Sequence, residues 1–87
     1  MKVLNLSNNK LKSIPKSFEH LQSLEIIDIS KNHLIFFPKS LENLQNLQII
    51  DLSRNLINNA NEKIREIIFK RMESSSKNLS LSIIIYP

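Results

Sequence analysis

A constant step organises this chain: residues 1–23, 24–46 and 47–69 are copies of one pattern. Leu4, Ile27 and Ile50 form one apolar column, and Leu6, Ile29 and Leu52 a second. The same step links Leu11, Leu34 and Ile57, then Leu21, Leu44 and Ile67, and also Asn9, Asn32 and Asn55. Two further columns, Ile14/Phe37/Ala60 and Phe18/Leu41/Ile64, keep time with these. The first two copies share nine identical positions and the last two share six, clustered around the strand-like Ile-Ile-Asp stretch. A fixed period of this length marks one supersecondary unit per copy. Such a unit cannot bury its apolar face alone and must stack on its neighbour.

Each copy carries its local structure in its pattern. In Leu4-Asn5-Leu6, Ile27-Asp28-Ile29 and Ile50-Asp51-Leu52, alternation sends the aliphatic side chains to one face and the polar one to the other. These read as short parallel strands, and each copy is long enough to hold the crossover that parallel pairing needs. Asn9, Asn32 and Asn55 fall at the bend after each strand. An Asn amide offers donors and an acceptor, so a stacked ladder of them satisfies the backbone groups of a buried bend. Pro15 and Pro38 open the outer segments, where a fixed φ suits a turn. The segments after them are too short for more than a turn or two of helix.

The pattern resembles the leucine-rich repeat, L-x-x-L-x-L-x-x-N-x-L, over residues 1–69. The hydrophobic-Pro pairs Ile14-Pro15 and Phe37-Pro38 make it similar to the intracellular Ras-suppressor-type class. The resemblance implies an α/β solenoid: a right-handed coil with a short parallel sheet on its concave face and short 3-10, irregular or helical segments on its convex face. It implies a non-enzymatic scaffold or adaptor for signalling partners in the cytoplasm. The alternative is a repeat segment or fragment of a larger signalling enzyme or receptor.

Copy three departs at its back. Ala60-Asn61 replaces the hydrophobic-Pro pair, and residues 62–73 read as an amphipathic helix with Ile64, Ile67, Ile68 and Met72 on one stripe. Asn59 or Asn61 is placed to cap it, and the helix is expected to close the last repeat. Residues 74–87 read as a loop and a degenerate terminal strand, Leu79–Ile85. Aligning Leu79 with Ile50 gives a longer step than those before it, still within the range of such repeats. Polar cap repeats are missing from the pattern, and Met1 already falls in a core column with Leu24 and Leu47. The expectation is therefore a fragment of a longer solenoid, or a chain whose end a partner closes.

Composition excludes several kinds of chemistry. The 87 residues contain no cysteine and no glycine. Thiolate metal sites and Cys nucleophiles are therefore ruled out, as are glycine-rich phosphate loops and dinucleotide fingerprints. Absence of cysteine also suits a reducing compartment. Net charge is +4, split evenly between residues 1–57 and 58–87 with both signs interspersed, so no basic arm points to nucleic acid. The apolar runs are far shorter than the ~20 residues of a membrane span. His20 and His33 occupy non-equivalent positions without metal-ligand companions. No cofactor, metal, nucleic acid, membrane or small-molecule substrate is expected. The N-glycosylation triplets at Asn5 and Asn78 read as incidental in an Asn-rich chain.

What remains is a surface. Strand residues pointing away from the core give an apolar column, Val3, Ile26 and Ile49. Beside it run a polar-to-acidic column, Asn5, Asp28 and Asp51, and a basic pair, Lys31 and Arg54, in register with Asn8. An apolar stripe flanked by both charges suits a protein partner of unknown identity. Arg54 is the best single anchor.

Overall fold

The computed structural model describes residues 2–57, 62, 65–67, 69–70 and 82–85. Four strands form one sheet in sequence order: β1 (Val3–Asn5), β2 (Ile26–Asp28), β3 (Ile49–Asp51) and β4 (Ser82–Ile84). All neighbours are parallel. Leu4 pairs with Ile27 and Ile27 with Ile50, so the sequence period is also the step between rungs.

The segments between strands are 3-10 in character, and the apolar spacing explains why. Phe18, Leu21 and Leu24 lie three apart, as do Leu41, Leu44 and Leu47. A 3-10 helix has three residues per turn, so side chains at that spacing share one face. The backbone bonds follow the same step. Phe18 N–H donates to Pro15 at 3.1 Å, Leu21 to Phe18 at 3.0 Å and Leu24 to Leu21 at 3.0 Å. The second copy repeats the chain from Pro38 through Leu41 and Leu44 to Leu47, at 3.1, 3.4 and 3.2 Å. Regular 3-10 geometry spans Lys16–His20 and Lys39–Leu41.

The core lies between sheet and crossovers. Leu24, Ile27, Ile29, Leu34 and Leu41 are fully buried, and Leu44, Leu47, Ile50, Leu52 and Ile67 nearly so. The matching residues of copy one, Leu4, Leu6, Ile14, Phe18 and Leu21, are only half-buried and pack against that cluster from one side. Ser40, within the second 3-10 segment, has its hydroxyl buried with no hydrogen-bond partner among the described residues, whereas its counterpart Ser17 is exposed.

The third crossover differs. Glu62, Arg65, Glu66, Ile67, Phe69 and Lys70 are α-helical. Ile67 enters the core at 3 % exposure, and Glu66 and Lys70 pair at 3.3 Å. Asn59, Ala60, Asn61, Ile64, Ile68 and Met72 lie outside the described residues, as does Met1. β4 pairs with β3 through Ile50 and Ile83, not Leu79, so the last step is longer than the sequence pattern suggests. An α-helix advances about 1.5 Å per residue against about 2.0 Å for a 3-10 helix, so a helical back takes up more chain between the same two rungs. Leu79, Leu81 and Asn78 lie outside the described residues; Ile83 faces the core and Ile85 is partly exposed. The parallel sheet and short helical crossovers fit a leucine-rich-repeat-like fold.

Candidate functional site

The sheet face opposite the core is built from two rows. Val3, Ile26 and Ile49 lie in register, continued by Ser82. Asn5, Asp28 and Asp51 form the second row, continued by Ile84. Val3 is 61 % exposed, while Ile26 and Ile49 are half-buried by their neighbours along the row.

The polar row also shapes the bend that follows each strand. Asn5 Oδ1 accepts from the Ser7 N–H at 2.9 Å and the Ser7 hydroxyl at 2.7 Å. Asp28 Oδ1 accepts from the N–H and hydroxyl of Ser30 at 3.0 and 2.6 Å. Asp51 Oδ1 accepts from the Ser53 N–H at 3.0 Å. These are Asx turns: a short side-chain carbonyl or carboxylate bonds the backbone two residues on and bends the chain out of the strand. The second carboxylate oxygens of Asp28 and Asp51 take no hydrogen bond among the described residues, so they remain able to face a ligand.

After the Asx turn comes a sharper feature. Asn8, Lys31 and Arg54 have φ of 59°, 56° and 58°. This left-handed region is natural to glycine and tolerated by Asn, but it crowds the Cβ of any other residue by about 1–2 kcal/mol. The chain has no glycine to offer. Asn8 is well suited to the corner; Lys31 and Arg54 are not. Replacing either by Asn is therefore expected to raise stability by about 0.5–1 kcal/mol, read as a higher urea midpoint with unchanged slope. A lower midpoint would show that these side chains contribute packing that outweighs the backbone cost.

The Asn column closes the bend from inside. Asn32 Oδ1 accepts from the Leu11 N–H at 3.0 Å, and its amide donates to Leu6, Ile29 and Ser30 carbonyls at 3.0–3.1 Å. Asn55 repeats this one rung on, accepting from the Leu34 N–H at 3.0 Å and donating to Ile29, Leu52 and Ser53 at 2.9, 3.1 and 3.3 Å. Among the described residues, Asn9 bonds only within its own copy, to Leu6 and Ser7 at 2.9 and 3.3 Å. Each inner Asn thus ties its own bend to the preceding one. Asn32 is 3 % exposed; Asn9 is exposed.

Three side-chain groups are therefore presented by the repeats: the apolar row and the acidic row on the sheet face, and the basic corners in the bends after the strands. Sequence reasoning places all eight residues on the exposed side but misses the left-handed corners, because Lys and Arg carry no signature of positive φ. It also misses the anchoring of Asn5, Asp28 and Asp51, although the Asx-x-Ser spacing in every copy was a visible signal. Two exposed aromatic residues lie elsewhere, Phe36 at 81 % and Phe69 at 61 %. Among the described residues no group of three or more His, Asp or Glu is arranged to hold a metal ion, and no helix is long and apolar enough to cross a membrane.

The Leucine rich repeat family model matches residues 1–34, which hold the whole first copy and the second as far as Leu34. The match supports a leucine-rich-repeat protein. Domains of this kind generally mediate protein–protein interactions and are typically non-enzymatic. No curated protein matches the chain.

Proposed function

We propose that this chain is a short solenoid segment that docks a partner protein on its exposed sheet face, as a non-enzymatic, cytoplasmic scaffold or adaptor of the Ras-suppressor-like class. The contact residues are Val3, Asn5, Ile26, Asp28, Lys31, Ile49, Asp51 and Arg54. The observation that carries this reading is the register. Parallel pairing sets Val3, Ile26 and Ile49 in one unbroken apolar row beside Asn5, Asp28 and Asp51, with acceptor atoms of both carboxylates left over. An apolar centre with a polar rim is the anatomy of a protein interface.

Size sets the expected affinity. A standard interface takes about 20–30 residues from each side. This face offers roughly half that, so the segment alone binds weakly.

The test removes the apolar row without disturbing the Asx turns. Ile26→Thr/Ile49→Thr keeps β-branched residues in the strands and strips their apolar character. Tagged wild-type and variant chains are incubated with extract of the source cells, and recovered proteins are identified by mass spectrometry. At least one protein held by the wild type is expected to be lost by the variant. Identical recovery by both chains, with the variant still folded by circular dichroism, rejects the assignment.

A further inference from the structure

Lys31 and Arg54 occupy left-handed corners that favour Gly or Asn, although Asn fills that corner in copy one and is abundant in the chain. The Lys31 N–H donates to the carbonyl of Ser53, the residue before Arg54, at 2.8 Å. The two corners are therefore on adjacent rungs, roughly 5 Å apart. Both residues are exposed, and neither has an ion-pair partner among the described residues. Two like charges thus stand on adjacent rungs, in a backbone conformation unfavourable to both, and neither is ion-paired among the described residues. Strain that persists at an exposed position points toward use.

Apolar surface adjoins the pair. Leu56 is 63 % exposed and lies two residues past Arg54. Its N–H donates to the Leu34 carbonyl at 2.8 Å, which sets it beside Ile35, 44 % exposed. Copy one has Lys10 and Lys12 at the corresponding positions.

We infer that Lys31 and Arg54 form a cation pair that seats neighbouring carboxylates of an acidic segment in the partner protein, with Leu56 and Ile35 receiving apolar residues beside them. The inference rests on the reading of the chain as a protein-docking module and names the chemistry that its corner residues would recognise. The adjoining leucine and isoleucine favour a peptide carrying both acidic and aliphatic residues over a nucleic-acid backbone, which would use the cations alone. Exposed charge pairs are individually weak, but two acting together on one segment set specificity and encounter.

The test uses the full chain and a short fluorescein-labelled peptide rich in glutamate and leucine, read by anisotropy at low salt. Lys31→Asn/Arg54→Asn is expected to weaken binding about tenfold while the melting temperature holds or rises. Lys16→Gln/Lys39→Gln removes the same charge from the 3-10 segments and is expected to leave binding nearly unchanged. Equal losses in the two double variants would reduce the effect to net charge and overturn the inference. So would equal binding of the same peptide with glutamine at every glutamate. Tighter binding of a labelled single-stranded oligonucleotide of matched charge, lost in the same corner variant, would overturn the choice of a peptide. Recovery from extract with Ile26→Thr/Ile49→Thr reads the strand face, and peptide anisotropy with the corner variant reads the pair, so failure of the strand-face reading and failure of the corner pair are told apart.

Discussion

Asn32→Ala lowers stability by about 2–3 kcal/mol, at least twice the loss from Asn9→Ala. The difference follows from what each amide holds. Asn32 is buried and takes part in bonds with two successive bends, through Leu11 and Leu6 on one side and Ile29 and Ser30 on the other. Truncation leaves the Leu11 N–H without a partner, while the Leu6, Ile29 and Ser30 carbonyls each lose one donor and keep one, from Asn9, Asn55 and the Asn8 N–H. Each stranded buried group costs about 1–3 kcal/mol. Asn9 is exposed and, among the described residues, bonds only Leu6 and Ser7, so water replaces it for about 1 kcal/mol or less. Asn55→Ala falls between them, because it holds the Leu34 N–H but is only half-buried. Asn32→Asp separates the two roles of the amide: it keeps the acceptor for Leu11 but turns a carboxylate toward three carbonyls, and is expected to be at least as damaging as alanine. Urea denaturation of the series checks this ordering. Equal losses at Asn9 and Asn32 would show that the cross-coil bonds contribute nothing.

Ile27→Ala costs about 3–4 kcal/mol, and Leu4→Ala about half of that. Both residues sit at the centre of a strand and are paired in register. Ile27 is fully buried, with a rung on either side; Leu4 has a rung on one side only. Removing a fully enclosed aliphatic side chain loses its transfer free energy and leaves a cavity that neighbours only partly fill. At Leu4 solvent enters, so the cavity term is small. Stability of a domain is about 5–15 kcal/mol, and short chains lie toward the lower end. Ile27→Ala is therefore expected to leave the chain close to unfolded at physiological temperature, while Leu4→Ala still shows a cooperative transition. Matching midpoints would mean that burial does not increase from the first rung to the second.

The parts of this structure that were legible in the sequence are those that repeat. The column Leu4/Ile27/Ile50 identifies both the strands and their pairing, because a constant step leaves no freedom of register. Where the step changes, the pattern loses its grip. Leu79, Leu81, Ile83 and Ile85 alternate with a period of two, so a shift of the strand by two or four positions keeps the same face inward. Only tertiary packing selects Ile83 as the partner of Ile50. The corners at Lys31 and Arg54 were hidden for a different reason. Positive φ is usually betrayed by glycine, and this chain has none, so only Asn8 hints at the bend that all three copies share. The acidic row was legible as exposed but not as anchored. Its Asx turns mean that Asp28 and Asp51 shape the bend as well as the surface.

Amide hydrogen exchange at Leu11 and Leu34 tests the stacked-coil account most directly, because among the described residues each of these N–H groups bonds only to a side-chain oxygen of the following repeat. Both are predicted to exchange far more slowly than the amide of Lys12 in the same bend, with Leu34, fully buried, the slower of the two. Exchange of Leu11 and Leu34 at the rate of an unstructured peptide, in a chain whose strands are otherwise protected, would contradict the ladder and the ordered surface built on it.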